Sequence, residues 1–127
     1  MNTSPRLEGT KLADFSALPK VNELQSIDTV IGQGAEVPVG ATITAHYTGA
    51  LAKDGTIFQS SHDFGEAITF GLDQVITGWT KGVPGMRVGG VRRLIIPSEL
   101  AYGSVRAAAN IPPNSDLVFD IELVAIA

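Results

Sequence analysis

The sequence predicts an α+β domain: an antiparallel β-sheet with one buried face, covered by a single short helix. Three observations carry this expectation. Fourteen glycines and seven prolines in 127 residues imply many turns and short elements. Several segments alternate apolar and polar residues, leaving one face of each strand polar. Only one segment, around Trp79, reads as a helix, and it is short.

Residues 1–21 show no clean periodicity and contain Pro5, Gly9 and Pro19, so they read as an extension tied down by Leu12, Phe15 and Leu18. Residues 26–31 alternate as a strand and close in the turn Gly32-Gln33-Gly34. The clearest strand is 41–48, where Ala41, Ile43, Ala45 and Tyr47 point one way and Thr42, Thr44, His46 and Thr48 the other. Asp54-Gly55 is the strongest hairpin signal and joins this strand to residues 56–60. Residues 68–70 form a further short strand. The helix spans 77–83, with Thr77 as the expected cap and Pro84-Gly85 as its stop. Gly78 and Gly82 give it poor propensity, so packing must hold it, and Trp79, the only tryptophan, is the natural anchor. Gly89-Gly90 then leads to the strand 91–96, which Pro97 ends. Ile111-Pro112-Pro113-Asn114 is a rigid turn. The last strand, 117–126, puts Leu117, Phe119, Ile121 and Leu123 on one face and Asp120 and Glu122 on the other.

Composition excludes several function classes. Hydrophobic residues make up 44% and charged residues 17%, which is globular rather than disordered. The net charge is -4 and the nine basic residues are dispersed, so a nucleic-acid partner is not expected. No cysteine means no disulfide, no thiolate nucleophile and no cysteine-ligated zinc, and it fits a reducing compartment. No apolar run approaches the ~20 residues of a membrane span, and residues 1–10 hold no signal-peptide apolar segment. The expected location is the cytoplasm, or an extracytoplasmic compartment if a targeting segment has been removed. Ser60-Ser61-His62-Asp63 assembles the residue types of a hydrolase triad, yet adjacent residues do not converge as a triad requires, and the run reads as a turn. His46 lies far from His62 in sequence and reads as a surface or sheet-bonded residue. No spacing among histidines and carboxylates suggests a metal site, and the glycines form no phosphate loop. No cofactor is expected.

What remains is a set of aromatic and branched residues bunched near turns: Tyr47, Phe58, Phe70, Val75, Ile76, Trp79, Tyr102, Ile111 and Phe119. They are either a core or the lining of a ligand cleft. The polar atoms of Tyr and Trp favour the edges of cores and clefts.

The wording and order of these segments resemble FKBP-type peptidyl-prolyl cis-trans isomerases, most of all the single-domain bacterial members. The resemblance rests on His46-Tyr47-Thr48-Gly49, Asp54-Gly55, Phe58, Ser60-Ser61, Val75-Ile76, Gly78-Trp79, Gly85-Met86, Val88-Gly89, Ala101-Tyr102-Gly103, Ile111-Pro112-Pro113 and residues 117–120. It covers residues 22–127, leaving 1–21 as an extension. It implies a strongly curved antiparallel sheet wrapped over one short helix, with a pocket between them. Trp79 would be the pocket floor, and Tyr47, Phe58, Phe70, Val75, Ile76, Ile111 and Phe119 its walls. The Ile76 amide would bind the ligand, and the Tyr102 hydroxyl the substrate carbonyl. Tyr47, Gln59 and Tyr102 would be the catalytic polar groups. Proline-containing peptides and unfolded chains are the implied partners, with rapamycin- and tacrolimus-type macrolides as ligands of the same pocket.

Three positions depart from the family's pattern. Gln59 stands where an aspartate is common, and could accept a bond from Tyr47 without bringing charge. Phe64 replaces a frequent arginine, and Ala107 replaces a frequent histidine in the flap. Two other readings share the same cavity: a module that grips proline segments without turning them over, and a carrier of small apolar ligands. The short stretch from Tyr102 to Ile111 leaves no room for an inserted chaperone domain, so the expectation is a lone, monomeric catalytic domain.

Overall fold

A computed structural model of the chain describes residues 7–12, 15–18, 20–104 and 111–126. Six strands and one helix follow in the order β1 (Gln25–Val30), β2 (Thr42–Leu51), β3 (Ile57–Ser60), β4 (Ile68–Gly71), α1 (Thr77–Gly82), β5 (Val91–Ile96) and β6 (Leu117–Ile126). All pairings are antiparallel, in the spatial order β1-β5-β6-β2-β3, and β4 also pairs with β2. The α+β architecture expected from the sequence, an antiparallel sheet curved over one short helix, is the one found.

The ten-residue strands β2 and β6 form the spine. One edge of β2 is shared: Thr42 to Ala45 pair with β4, and Thr48 to Ala50 pair with β3. The strand continues to Leu51, past its expected end at Thr48. Residues 47–52 are all buried, so the alternation that marks its first half is lost where both faces are covered. The hairpin forms at Asp54-Gly55 as expected. Gly55 takes φ 77°, and Asp54 Oδ1 accepts from the Thr56 amide at 2.9 Å.

The expectation of one buried face needs correction. The inner cluster includes Ile43, Tyr47, Trp79, Leu94, Ile96, Phe119 and Ile121. A second cluster lies apart from it, where Leu12 and Val21 pack with Ala50, Ala52, Ile57, Ile95 and Val118, joined by Leu7, Phe15 and Leu18. The N-terminal segment is therefore docked through the three residues expected to tie it down. Pro5 and Pro19 lie outside the described residues. Main-chain bonds reinforce the docking: Gly9 N–H donates to Ile57 O, Leu12 N–H to Gly55 O and Leu18 N–H to Ala52 O, at 2.7–2.8 Å.

Strand β1 starts one residue before its expected position and is exposed throughout. Its Asp28 carboxylate is held by Arg92 of β5, with Nε–Oδ1 at 2.7 Å and Nη2–Oδ2 at 3.2 Å. Arg92 Nη1 also donates to the carbonyls of Gly82 and Pro84, at 2.8 and 3.2 Å, satisfying carbonyls at the end of α1. One guanidinium thus joins an edge strand, an inner strand and the helix terminus. The bonds from Arg92 hold the Asp28 carboxyl below its usual pKa of 3.8.

Helix α1 has only six residues, and its cap is not Thr77. Ile76 holds the cap position without any side-chain bond, and Thr77 is the first helical residue. The Ile76 carbonyl accepts from both Trp79 and Thr80 amides, at 3.0 and 3.2 Å, so the helix opens with a tight turn. Its two glycines face the sheet. A Cβ on Gly78 would lie 2.6 Å from Ile96 Cδ1, and one on Gly82 would lie 2.8 Å from Leu94 Cδ2. Ile96 and Leu94 are fully buried and have nowhere to retreat.

Gly78→Ala therefore separates propensity from packing. Alanine favours an exposed helix by about 1 kcal/mol, whereas overpacking costs about 1–3 kcal/mol. The variant is expected to be destabilised in a urea titration; equal or greater stability would show that helix and sheet are not in tight contact. Asp28→Asn tests the Arg92 junction. A lowered folded pKa contributes stability above 3.8, which is lost as pH falls through the folded value. Wild type should exceed the variant at neutral pH, with the gap closing below pH 3.8; a gap independent of pH would contradict the ion pair.

Candidate functional site

Four strands, the helix and two connecting segments contribute to one cleft of about 560 Å³. Tyr47 comes from β2, Phe58 and Gln59 from β3, Phe70 from β4, Trp79 from α1 and Phe119 from β6. Gln74, Val75 and Ile76 come from the loop between β4 and α1, and Tyr102 from the turn after β5. The structure brings together all the sequence-predicted site residues except Ile111. Ile111 is buried in the same cluster but is not among the residues lining the cleft. Gln74 lines the cleft and was not foreseen, because nothing in its spacing distinguishes it from a polar turn residue.

Trp79 is buried at the base, edge-on to three rings. Its centroid lies 5.7 Å from Tyr47, 5.1 Å from Phe70 and 5.3 Å from Phe119, at interplanar angles of 78°, 67° and 87°. Phe58 meets Phe119 at 5.7 Å and 87°. Such edge-to-face pairs fix ring positions beyond what burial alone achieves. Gly49 makes room for two of these rings. A Cβ there would lie 2.6 Å from Phe58 Cζ and 2.7 Å from Phe119 Cε2. Phe58 also sits at an irregularity in the ladder: Gln59 opposes Gly49 and Ile57 opposes Ala50, so the register shifts at Phe58.

No charged side chain among the described residues lines the cleft. Among the described residues, Trp79 Nε1 is the buried side-chain polar atom without a hydrogen-bond partner. Burial, and for Tyr47 the neighbouring Tyr102, raise both tyrosine pKa values above 10.0, so both phenols stay protonated near neutrality. Tyr102 is 40% exposed, with its hydroxyl available at the mouth. The expected bond from Tyr47 to Gln59 is not formed; the two share the cleft without joining. The Ile76 amide donates to no group among the described residues. The cleft thus offers an apolar floor and a few uncharged donors, and no acid, base or nucleophile.

The rejected constellations are accounted for. Ser60 Oγ accepts from the His62 amide at 3.2 Å and caps the turn Ser61–Phe64. Ser61 is fully buried and accepts from the Tyr47 amide at 2.8 Å. Its Oγ also lies 2.9 Å from His46 Nδ1, so the His46 side chain is bonded to the turn that follows β3. The His46 and His62 rings stack at 4.3 Å, a contact that sequence separation had hidden. Asp63 accepts main-chain amides instead of orienting a histidine. No group of three metal-binding side chains occurs among the described residues. Phe64 is exposed, and Ala107 lies outside the described residues. No helix among the described residues is long and apolar enough to cross a membrane.

Comparison with known proteins agrees with this geometry. Residues 34–124 match the family model for FKBP-type peptidyl-prolyl cis-trans isomerases. The chain is 51% identical over 89 residues to the peptidyl-prolyl cis-trans isomerase FPR2 of Saccharomyces cerevisiae, a match spanning 68% of this chain and 66% of that protein. It is 48% identical over 95 residues to an FK506-binding protein of Neisseria meningitidis serogroup C, spanning 73% of this chain and 86% of the other. Among solved structures, a peptidyl-prolyl cis-trans isomerase of Pseudomonas syringae pv. tomato superposes with a TM-score of 0.74 at 36% identity, covering 87% of this chain and 84% of that one.

Proposed function

The chain belongs to the FKBP-type peptidyl-prolyl cis-trans isomerase family, and from that premise we propose that its cleft accelerates rotation about X-Pro bonds in peptides and unfolded chains. The observation that carries this reading is a cleft of about 560 Å³ lined by aromatic, branched and amide side chains, with no charge among them. An X-Pro bond needs no nucleophile and no proton transfer to rotate. Its barrier is the amide resonance, ~18–20 kcal/mol, and uncatalysed exchange takes tens to hundreds of seconds. The planar amide is more dipolar than the twisted one, so water stabilises the ground state preferentially. A proline ring seated over Trp79 moves the bond out of water and removes that preference, which is differential binding of the transition state.

The polar groups supply orientation. The Ile76 amide, unengaged by the described residues, donates to a carbonyl of the bound segment. The Tyr102 hydroxyl, protonated and at the mouth, donates to the carbonyl that turns. Tyr47, Phe58, Phe70, Val75 and Phe119 hold the ring between them. Gln59 and Gln74 offer uncharged amides at the cleft, so chain segments of either charge are tolerated there. Rapamycin- and tacrolimus-type macrolides fit the same scheme as competing ligands, since they present apolar surface with a few carbonyl acceptors.

A protease-coupled assay on short X-Pro peptides tests the proposal. The chain should accelerate exchange, and a macrolide of either type should inhibit it; a rate equal to the uncatalysed one, with peptide still bound, would leave only a binding module. Tyr102→Phe should lower kcat/KM by about 2- to 10-fold, the loss of one modest hydrogen bond. Unchanged activity and macrolide affinity in that variant would remove Tyr102 from the mechanism.

A further inference from the structure

We propose that residues 7–12 form a strap that positions the Phe58 wall of the cleft, and that Asp63 is the positioning residue that fastens it. This inference rests on the isomerase reading of the cleft. Strand β3 is four residues long and lies at the end of the sheet, where a strand has one neighbour and an open edge. It nevertheless carries Phe58 and Gln59, two of the residues around the cleft. Phe58 lies at the register shift between β3 and β2, with Ile57 and Gln59 in the ladder on either side of it.

The strap adds main-chain bonds beside Phe58. Ile57, the residue before Phe58, exchanges both main-chain bonds with it: Gly9 N–H donates to Ile57 O at 2.7 Å, and Ile57 N–H donates to Thr10 O at 2.8 Å. Lys11 bridges to Thr56, and its Nζ donates to Thr56 Oγ1 at 2.8 Å. Leu12 packs in the same outer cluster as Ile57. Strand β3 is thus held between β2 on one side and the strap on the other.

The far end of the strap is tied to the chain just beyond β3. The Asp63 carboxylate accepts from the Leu7 amide at 2.8 Å and from the Glu8 amide at 3.1 Å, one on each oxygen. Asp63 belongs to the turn Ser61–Phe64, whose Ser61 is bonded to the main chain of Tyr47. The bonds close a ring from Tyr47 through Ser61 and Asp63 to the strap, then through Ile57 back into β3. Opening that ring at Asp63 frees Phe58 without touching any residue of the cleft.

The test uses the full chain with Asp63→Ala, Asp63→Asn and Leu12→Ala, the last loosening the strap at its apolar end. NMR reads the exchange of the Ile57 amide and the ring signals of Phe58, and the isomerase assay reads KM and kcat separately. In Asp63→Ala, Ile57 exchange should quicken at least about tenfold and the Phe58 ring signals should move. KM should rise at least about threefold with kcat within about twofold, because substrate seating is lost and the reacting group is not. Asp63→Asn, which keeps one oxygen acceptor, should fall between wild type and Asp63→Ala, and Leu12→Ala should shift the same signals. Unchanged Ile57 exchange in Asp63→Ala would overturn the fastening role. Faster exchange with an unmoved Phe58 ring, or an unmoved KM, would overturn the positioning role. An inactive wild type would instead refute the isomerase reading, and the Phe58 signals would still decide for or against the strap.

Discussion

The arrangement depends on how closely α1 approaches the sheet. A helix of six residues with two glycines has no stability of its own. Those glycines are what allow its backbone to rest on Ile96 and Leu94, and that contact sets the depth of Trp79. At that depth the indole meets Tyr47, Phe70 and Phe119 edge-on, and the three rings become walls above a floor. A side chain at Gly78 or Gly82 would lift the helix, and the floor would rise with it. The cleft is therefore a consequence of this close contact, with Arg92 holding the helix end in place from β5.

The chemistry follows from what this geometry leaves out. Charged pairs are present, but they lie elsewhere: Arg92 with Asp28 at one edge, and Arg93 with Asp120. The two histidines stack on each other beside Ser61, away from the cleft-lining residues. An apolar, uncharged site suits a reaction whose transition state is less dipolar than its ground state, and it suits few others. Family membership and the character of the site point to the same conclusion.

Much of the fold was legible because its signals are side-chain periodicities. The alternation in β2 and β6, the Asp54-Gly55 hairpin and the single helix at Trp79 each left a local mark. The extent of β2 was not legible, since burial on both faces erases alternation after Tyr47. The docking of residues 7–12 was only half legible: Leu12 was visible as an anchor, but bonds between main-chain atoms leave no trace in residue identity. The same limit hid the meaning of Gly78 and Gly82. Propensity marks them as weak helix formers, and only the sheet beside them shows that they are spacers. In the site, residue type identified the aromatic walls. The place of Gln74 depends on the path of the loop before α1, and the gap between Tyr47 and Gln59 on side-chain directions across two strands; no spacing rule encodes either.

The central claim is that the cleft works by excluding water and orienting an amide, without proton transfer. The pH dependence of kcat/KM, followed by NMR exchange spectroscopy on an X-Pro peptide so that no coupling protease intervenes, tests it most directly. Neither cleft tyrosine titrates below its usual value of 10.0, and no other titratable group among the described residues lines the cleft. The profile should be flat within about twofold from about pH 6 to pH 9. A bell, or a step near the histidine range of about 6.5, would place an acid or base in the reaction and contradict the account.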